Sequence, residues 1–412
     1  MSTHELHELM RDSLDHCVKC TICETYCPVA AATPLFPGPK YEGPQAERYR
    51  GRGIADHSVD LCSSCGICTQ VCPQGVKIAE INSQAKAALA AERGVKLRDR
   101  LISRPTLAGW MGAPVAPVAN WSVGFRPFRL GLEKLLGIHR RAALPRWAGR
   151  TFQSRVKRRL RKGPASFPAA AARQVVFFHG CAANFYEPGT AAMAVAVLEH
   201  NGLEVVVPKQ GCCGLPLQSN GLYDDARAYV RKLTAALVPY ARAGHDIVAT
   251  STSCGLMLKR EAKEILGMED EDLRVVAERL YDISEYLVLM HERGELRTDF
   301  QDLDLAVPYH APCQQRGHGV GTPAMELMDL VPGLRATQAD AVCCGVAGTY
   351  GIKAEKYDIA MEVGRSLFEQ VRDSGAPLSV CDSETCRWQI AKATGIPSVH
   401  PVEMLHRAYG LG

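Results

Sequence analysis

The sequence predicts a multidomain α+β protein in which a mostly helical N-terminal domain precedes two α/β repeats rich in cysteine. Cysteines fall into three blocks, with eight in residues 1–100, none in residues 101–172 and nine in residues 173–412. The last block repeats its cysteine pattern after about 132 residues. Within each repeat, β-like runs alternate with helical patterns, which is typical of α/β units.

Length and composition fit a globular chain of two or three domains. The 412 residues are 47% hydrophobic and 22% charged, and a net charge of +4 gives no reason to expect nucleic-acid binding. The charged N-terminal segment lacks the apolar core of a secretory signal. We therefore expect the 17 cysteines to be reduced, and to act as metal ligands or redox groups rather than as disulfides.

Residues 1–100 contain two cysteine runs with the spacing C-x2-C-x2-C-x3-C-P, in which the fourth cysteine precedes Pro28 or Pro73. In bacterial proteins this spacing binds two [4Fe–4S] clusters, and the fourth cysteine of each run binds the other cluster. The spacing thus predicts a ferredoxin-like domain with two crossed sets of ligands: Cys17, Cys20, Cys23 and Cys72 for one cluster, and Cys62, Cys65, Cys68 and Cys27 for the other. Zinc sites and disulfides are the alternatives, but zinc usually takes paired CxxC motifs.

Residues 101–172 are interpreted as a connector that is first aromatic and uncharged and then strongly basic. No charged residue occurs from Pro105 to Phe125, a length sufficient to cross a bilayer. Five residues are expected to prevent any helix there: Gly109, Gly112, Pro114, Pro117 and Gly124. The aromatic residues Trp110, Trp121 and Phe125 instead suit a membrane interface or a packed partner surface.

The basic part of the connector, residues 139–162, has ten Lys or Arg and no Asp or Glu. Three interpretations of this basic segment stay open. The segment could be a solvated basic helix, a surface that meets anionic lipid headgroups, or a surface that faces an acidic partner protein.

Residues 173–300 and 301–412 are two copies of one cysteine pattern. Each copy has a cysteine after a β-like run, then Cys-Cys-Gly, then a cysteine after a second β-like run. These are Cys181, Cys212, Cys213 and Cys254 in the first repeat, and Cys313, Cys343, Cys344 and Cys386 in the second. Adjacent cysteines do not easily bridge each other, but both can face a cofactor if the following glycine lets the backbone bend. The pattern predicts a second type of iron–sulfur or redox site, with buried structural thiols as the alternative.

Three further residues lie close to these motifs. His179 and His310 precede the first cysteine of each repeat and are expected to be core histidines with satisfied hydrogen bonds. Cys381 aligns with Ala249 of the first repeat and is expected to be a buried thiol.

The order of these motifs resembles that of iron–sulfur subunits of flavin-linked dehydrogenases, and most closely the family of C subunits of anaerobic glycerol-3-phosphate dehydrogenase. In that family two ferredoxin-type runs precede two cysteine-rich CCG domains. The more specific similarities are FPGPKYEGPQAERYR at residues 36–50, CCGLP from Cys212, CCGVAGTYG from Cys343 and ETCRWQI from Glu384.

The resemblance implies an electron-transfer subunit without a catalytic site of its own. Its cofactors would be two [4Fe–4S] clusters, with room for a further iron–sulfur cluster in the CCG region. It would accept electrons from a flavoprotein dehydrogenase that oxidises sn-glycerol 3-phosphate. It would pass them to membrane quinone, from a peripheral position on the cytoplasmic side of the inner membrane.

One departure from related domains concerns the end of each repeat. Relatives often carry CxxC there, whereas this chain has Ser251 and Ser383 at the first position. The missing fifth thiolate disfavours noncubane clusters and heterodisulfide-reductase chemistry. Three alternatives stay open: an iron–sulfur protein serving glycolate or lactate oxidation, a heterodisulfide-reductase-like catalytic subunit, and a cysteine protein without clusters. We find no nucleotide fingerprint, because GVAGTYG from Gly345 does not fit G-x-G-x-x-G.

Overall fold

The computed structural model describes residue 10 and residues 12–50, 57–156 and 173–411. In the ferredoxin-like domain, short helices surround the cysteine runs, and the helix Ile78–Arg93 is by far the longest of those described. The shorter ones are Ile22–Thr25, Pro28–Ala32, the π-helix Tyr41–Gln45, Glu47–Arg50, the 3-10 helix Ser58–Leu61 and Ile67–Gln70. The prediction of a mostly helical N-terminal domain is confirmed.

The helix Ile78–Arg93 joins this domain to the repeats. Its apolar residues Ile78, Ile81, Ala85 and Leu89 recur at intervals of three or four and are buried. Ser83 lies on the buried side as well, and its hydroxyl is 3.1 Å from the Tyr223 hydroxyl of the first repeat. The helix ends before Gly94, whose φ of 78° is readily adopted only by glycine.

The connector is helical, so the expectation that its glycines and prolines prevent a helix is wrong. Its helices are Leu97–Ile102, Pro105–Gly112, the 3-10 helix Ala113–Val115, Ala116–Gly124, Arg126–Leu136 and Phe152–Arg155. Pro105 and Pro117 lie in first turns, where the missing N–H has no helical partner to lose. The interruption at residues 113–115 still divides the segment, and no helix in the described parts of the chain is long and apolar enough to cross a membrane.

Two glycines stay inside a helix because large side chains pack directly on them. A Cβ atom at Gly109 would lie 2.3 Å from Cγ of Phe185, and one at Gly112 would lie 2.3 Å from Nε1 of Trp147. The Trp147 indole also donates a hydrogen bond of 2.8 Å to the Ala108 carbonyl. Tertiary packing thus outweighs the low helix propensity of glycine at these positions.

Each cysteine-rich repeat is built on a four-stranded parallel sheet, as the α/β prediction required. The strands of the first repeat are β1 (Gln174–Phe178), β2 (Glu204–Val206), β3 (Asp246–Ala249) and β4 (Leu280–Asp282), in the order β2-β1-β3-β4. Those of the second are β5 (Leu305–His310), β6 (Leu334–Gln338), β7 (Ser379–Cys381) and β8 (Ser398–Val399), in the corresponding order β6-β5-β7-β8.

Helices and single turns connect these strands. In the first repeat they are Ala182–Phe185, Pro188–His200, Leu215–Ser219, Tyr223–Arg242, Thr252–Leu256, the π-helix Met257–Glu261, Ala262–Glu264, Glu271–Glu278 and Ile283–Glu292. In the second repeat they are Cys313–Gly317, Pro323–Asp329, the 3-10 helix Tyr350–Ile352, Tyr357–Val363, Arg365–Asp373, Glu384–Thr394 and Pro401–Ala408.

The two repeats share a large apolar core, and each has a further core of its own. Buried residues of both sheets, such as Val248 and Val380, belong to the same cluster. The helix Pro188–His200 packs on Pro401–Ala408, and Ile283–Glu292 packs on Pro323–Asp329. Since each pair joins the first crossover helix of one repeat to the last helix of the other, the arrangement is that of an internal twofold axis.

Candidate metal centres

The two cysteine runs of the ferredoxin-like domain enclose two separate small cavities. Four thiols line the first, those of Cys17, Cys20, Cys23 and Cys72. Four line the second, those of Cys27, Cys62, Cys65 and Cys68. These are the two crossed sets derived from the spacing. In each cavity, three thiols come from one run and the fourth from the other run, which suits a [4Fe–4S] cluster. Cluster binding by these eight cysteines stays a prediction.

The loop between the first and third cysteine has the same backbone shape in both runs. Lys19 and Thr21 have φ of 58° and 67°, and the equivalent Ser64 and Gly66 have φ of 56° and 80°. Left-handed conformations are uncommon for residues other than glycine, so the repetition marks a loop shape that both sites require. Of these four residues, only Gly66 is of a type that indicates a left-handed conformation from the sequence.

Burial makes the free thiolate form of four of these cysteines, Cys23, Cys27, Cys65 and Cys68, unfavourable. It raises the pKa of Cys23 and Cys27 to about 11 and that of Cys65 to about 12. Metal ligation requires the thiolate, and a bound metal supplies the positive charge that burial in protein otherwise lacks. The sites are therefore better suited to hold a metal centre than to remain as free thiols.

Three lysines cluster near Cys62, one of the four cysteines of the second cavity, although none of them lines the cavity. Nζ of Lys86 donates a hydrogen bond of 2.8 Å to the Cys62 carbonyl, and burial lowers the Lys86 pKa to about 8. Lys353 and Lys356 lie nearby, almost fully buried, and pair with Asp99 at 3.2 Å and Asp60 at 2.9 Å. Positive charge next to a cluster favours its reduced state.

All eight predicted cysteines of the repeats line one shared cavity of about 120 Å³. The structure thus brings the two four-cysteine sets together, which the spacing alone did not indicate. Cys181 and Cys254 follow β1 and β3, and Cys313 and Cys386 follow β5 and β7. The carboxyl ends of parallel strands are the usual place for a site in such sheets. Cys65 of the ferredoxin-like domain lines the same cavity.

The glycine of each Cys-Cys-Gly motif is required by its backbone. Gly214 and Gly345 have φ of 85° and 82°, which only glycine adopts readily. A Cβ atom at Gly345 would also lie 1.8 Å from the Ala360 carbonyl oxygen, and one at Gly214 would lie 3.0 Å from that of Ala226. Glycine therefore lets both preceding cysteines face the shared cavity.

The thiols within each repeat are close enough to share protons. Hydrogen bonds from Cys181 and Cys213 hold the pKa of Cys212 well below its usual value, and those from Cys313 and Cys344 do the same for Cys343. The Sγ atoms of Cys344 and Cys386 are 3.0 Å apart. Converging thiols with one acidic member are a suitable donor set for a thiophilic metal centre.

Ser251, which replaces a cysteine of related domains, has a structural role here. Its hydroxyl accepts a hydrogen bond of 3.4 Å from the Cys254 N–H and so caps the helix Thr252–Leu256. It also donates to Oε1 of Glu384 at 3.1 Å, which connects the two repeats. In the second repeat, the Ser383 hydroxyl is 3.3 Å from that of Thr385.

The two histidines differ, and one expectation is wrong. His179 is satisfied as predicted, with Nδ1 2.6 Å from the Gly180 carbonyl and Nε2 3.2 Å from Nε2 of Gln153. Neither ring nitrogen of the buried His310 has a hydrogen-bond partner. Its ring faces Cys344 and Cys386 instead. Cys381 is a buried thiol, as expected, and its S–H donates to the Ser383 carbonyl at 3.9 Å.

A much larger cavity, of about 1070 Å³, lies between the connector and the helices of the two repeats. Tyr186 and Trp388 form part of its wall, with ring centroids 5.9 Å apart. Tyr186 is also close enough to Cys181 and Cys212 of the shared cavity for their charges to interact. We refer to the larger cavity below as the connector cavity.

Comparison with known proteins identifies both kinds of domain in this chain. A family described as "4Fe-4S dicluster domain" matches residues 13–76, and one described as "Cysteine-rich domain" matches residues 175–259 and 307–391. The D subunit of dihydromethanophenazine:CoB–CoM heterodisulfide reductase from Methanosarcina acetivorans is 24% identical over 91% of this chain and 88% of its own length. The B subunit of fumarate reductase (CoM/CoB) from Methanothermobacter marburgensis is 25% identical over 89% of this chain and 65% of its own length.

A more similar relative is the C subunit of anaerobic glycerol-3-phosphate dehydrogenase from Escherichia coli K12. It is 36% identical over 400 residues, which make up 96% of this chain and 98% of the relative. The match therefore includes the ferredoxin-like domain, the connector and both repeats in the same order. The chain belongs to the family of C subunits of anaerobic glycerol-3-phosphate dehydrogenase, an iron–sulfur family of electron-transfer subunits.

Proposed function

We propose that this chain takes electrons from a flavoprotein that oxidises sn-glycerol 3-phosphate and delivers them to membrane quinone. The observation that carries the proposal is the arrangement of the cysteine sites. Cys23 and Cys68 of the two four-thiol cavities pack together, Cys65 lines both the second of these cavities and the shared cavity, and Trp388, two residues after Cys386, lines the connector cavity. Iron–sulfur clusters, when bound at the cysteines, would supply one-electron carriers along this line.

The junction between the ferredoxin-like domain and the repeats depends on Cys65. This residue lines both the second four-thiol cavity and the shared cavity. Its thiol is also close enough to Cys343 for the two charges to interact. The chain thus keeps the two kinds of site adjacent, as electron transfer between them requires.

The exit towards quinone would run through the wall of the connector cavity. Trp388 follows Cys386 by two residues on the same helix, and its indole donates a hydrogen bond of 2.6 Å to Glu187. Arg129 also lines the cavity, and its Nη1 has no hydrogen-bond partner. A free donor and two aromatic rings in a cavity of this size suit a planar headgroup with carbonyl oxygens.

The outer surface of the connector suits a membrane interface. Trp110, Met111 and Trp121 are 62%, 69% and 64% exposed, although they are large and apolar. Arg126 and Arg146 at the connector cavity add positive charge beside them. Apolar burial combined with attraction to anionic headgroups is how interfacial helices bind. Of the basic segment predicted at residues 139–162, positions 157–162 lie outside the described residues.

The test is to express the chain with its candidate flavoprotein, to purify the complex and to measure substrate-driven quinone reduction. We expect sn-glycerol 3-phosphate to drive reduction of a short-chain quinone only when this chain is present. Leu130→Trp, which would fill the connector cavity, should lower that rate several-fold. Leu135→Trp, on the exposed side of the same helix, is the matched control. A co-purifying flavoprotein that oxidises lactate or glycolate instead would contradict the proposed substrate.

One observation favours a second candidate function, reduction of a disulfide at the shared cavity. Eight cysteines surround that cavity, and a relative at 24% identity is named as part of a heterodisulfide reductase. The capping role of Ser251 counts against it, because no fifth thiolate is available at that position. We expect no turnover when the chain is given a disulfide and a chemical electron donor. Steady turnover would favour disulfide reduction over electron transfer to quinone as the function.

A further inference from the structure

The environment of His310 in the second repeat differs from that of a histidine with a purely structural role. It ends β5, beside Cys381 of β7, and its side chain is 2% exposed. Neither Nδ1 nor Nε2 has a hydrogen-bond partner of suitable geometry, and the nearest group with which the ring interacts is the Cys386 thiol. A buried polar atom without a partner costs about 1–3 kcal/mol, so a ligand that the ring and the thiol could share is expected.

The surroundings of the ring identify what that partner would be. One nitrogen of His310 and the Sγ atoms of Cys344 and Cys386 all lie within 4.8 Å of one another. Among the residues that the structure describes, no other three histidine, cysteine or carboxylate donors meet this criterion. Neutral imidazole and thiolate are the donors that zinc and iron prefer.

The first repeat has no histidine at this position. Its sheet pairs Phe178 with Ala249, where the second repeat pairs His310 with Cys381. His179 is one residue further along the chain, and Gln153 of the connector and the Gly180 carbonyl occupy both of its nitrogens. A buried histidine that faces the thiols is therefore a feature of the second repeat and does not follow from the shared topology.

We propose that a ring nitrogen of His310 is a ligand of the iron–sulfur centre held by Cys344 and Cys386, so that the two repeats carry centres with different ligand sets. The inference rests on the proposed binding of a further cluster in the repeats. His310 would add a neutral ligand to the four thiols of its repeat. A neutral imidazole in place of a thiolate raises the reduction potential of iron–sulfur centres, so the centre should have a higher potential with His310 than with cysteine at the same position.

The experiment uses the full chain, purified anaerobically from cells supplied with natural or ¹⁵N-labelled histidine. Iron is counted per chain, and pulsed EPR is recorded on the reduced protein. We expect more than about eight iron atoms, with a nitrogen hyperfine coupling of directly bonded imidazole that changes on ¹⁵N labelling. His310→Gln should remove that coupling, and His179→Gln should leave it unchanged.

His310→Cys keeps a ligand at the position if His310→Gln fails to assemble the centre. We expect it to retain the additional iron, to lose the nitrogen coupling and to lower the potential of the centre. Additional iron without a nitrogen coupling in the wild type would overturn the inference and leave the proposed cluster intact. A coupling that persists in both His310 variants would also overturn it. An iron content of about eight in the wild type would instead refute the cluster in the repeats, and the inference with it.

Discussion

At the scale of single residues, buried positive charge distinguishes the second ferredoxin-type site from the first. Near Cys62, Lys353 and Lys356 are paired with Asp99 and Asp60, which leaves Lys86 as the main source of positive charge. At the first cavity, Lys40 is paired with Glu24 at 3.2 Å and Lys19 is exposed to solvent. The charge of Lys86 is held close to the site by its hydrogen bond to the Cys62 carbonyl. The second site should therefore have the higher reduction potential.

Lys86→Met tests this difference. Removing the charge should lower the potential of the second site by tens of millivolts, as expected for one elementary charge at an effective dielectric constant of about 20. Anaerobic redox titration followed by EPR measures the shift. The exposed Lys209→Met should leave the potential unchanged, since a solvated charge is screened. Equal shifts in both variants would contradict the assigned role.

Glu261 lines the shared cavity, and burial raises the pKa of its carboxyl to about 7. Because the folded protein holds this proton more tightly than the unfolded chain does, the contribution to stability is complete below about pH 4.5. It is lost as the pH rises through 7. Between pH 5 and 8 we expect the free energy of unfolding of the wild type to fall by about 2 kcal/mol relative to that of Glu261→Gln. Apparent thermal midpoints of the two proteins at several pH values check this, and parallel pH profiles would count against it.

Residue identities were predictable where chemistry depends on local spacing. The eight ferredoxin-type cysteines and the two Cys-Cys-Gly motifs could be read directly, since each set is defined within a short segment. The hydrogen bonds of His179 could not, because one of them depends on Gln153, which lies 26 residues away in the connector. Burial and partners of a single side chain are properties of the tertiary structure.

At the scale of elements, the connector shows how packing decides where a helix forms. Gly109 and Gly112 lie in the helix Pro105–Gly112, because Phe185 and Trp147 occupy the space of a side chain. The residue types alone favoured an irregular segment. The four inner strands were foreseeable from their apolar runs, but the edge strands β2, β4, β6 and β8 have only two to five residues each and gave no such signal.

Gly109→Ala is expected to destabilise the protein although alanine is the better helix former. The new methyl group would lie 2.3 Å from Phe185, and overpacking of this kind costs about 1–3 kcal/mol. Gly131→Ala, within the helix Arg126–Leu136 and with no atom within 4 Å of the new Cβ, should stabilise instead by about 0.5–1 kcal/mol. Thermal unfolding compares the two, and a shift of the same sign in both would contradict the packing argument.

The exposed face of the connector makes a separate prediction about membranes. Trp110→Ser combined with Trp121→Ser should reduce binding to vesicles that contain anionic lipid by at least several-fold, because each tryptophan contributes interfacial burial. Co-sedimentation measures the bound fraction. Leu35→Ser in the ferredoxin-like domain removes an equally exposed apolar side chain and should have no effect. Unchanged binding of the double variant would indicate that this face meets a protein partner instead.

At the scale of the whole molecule, an internal twofold axis combines the two repeats into one site. The reciprocal packing of helices and the common core bring two four-cysteine sets to a single cavity. Arg98, in the helix that leads into the connector, forms two hydrogen bonds of 2.7 Å with Glu355 of the second repeat, and Lys77 of the ferredoxin-like domain pairs with Glu264 of the first repeat at 3.1 Å. These contacts hold the ferredoxin-like domain against the two repeats.

The repeat and the fold class were accessible from the sequence, because an interval of about 132 residues and alternating strand and helix patterns are visible in it. The convergence of the repeats was not. Periodicity describes what each copy contains, whereas the docking of one copy on the other depends on surfaces such as those of Pro188–His200 and Pro401–Ala408. The proximity of Cys65 to Cys343 has the same origin.

The most direct test of the account is a comparison of iron and acid-labile sulfide per chain in two anaerobically purified proteins. One is the wild type, and the other is Cys213→Ser combined with Cys344→Ser, which changes only the repeats. The account predicts clearly more than about eight iron atoms in the wild type and about eight in the variant, with the EPR signal of the ferredoxin-like domain unchanged. About eight iron atoms in both proteins would contradict an electron path through the shared cavity.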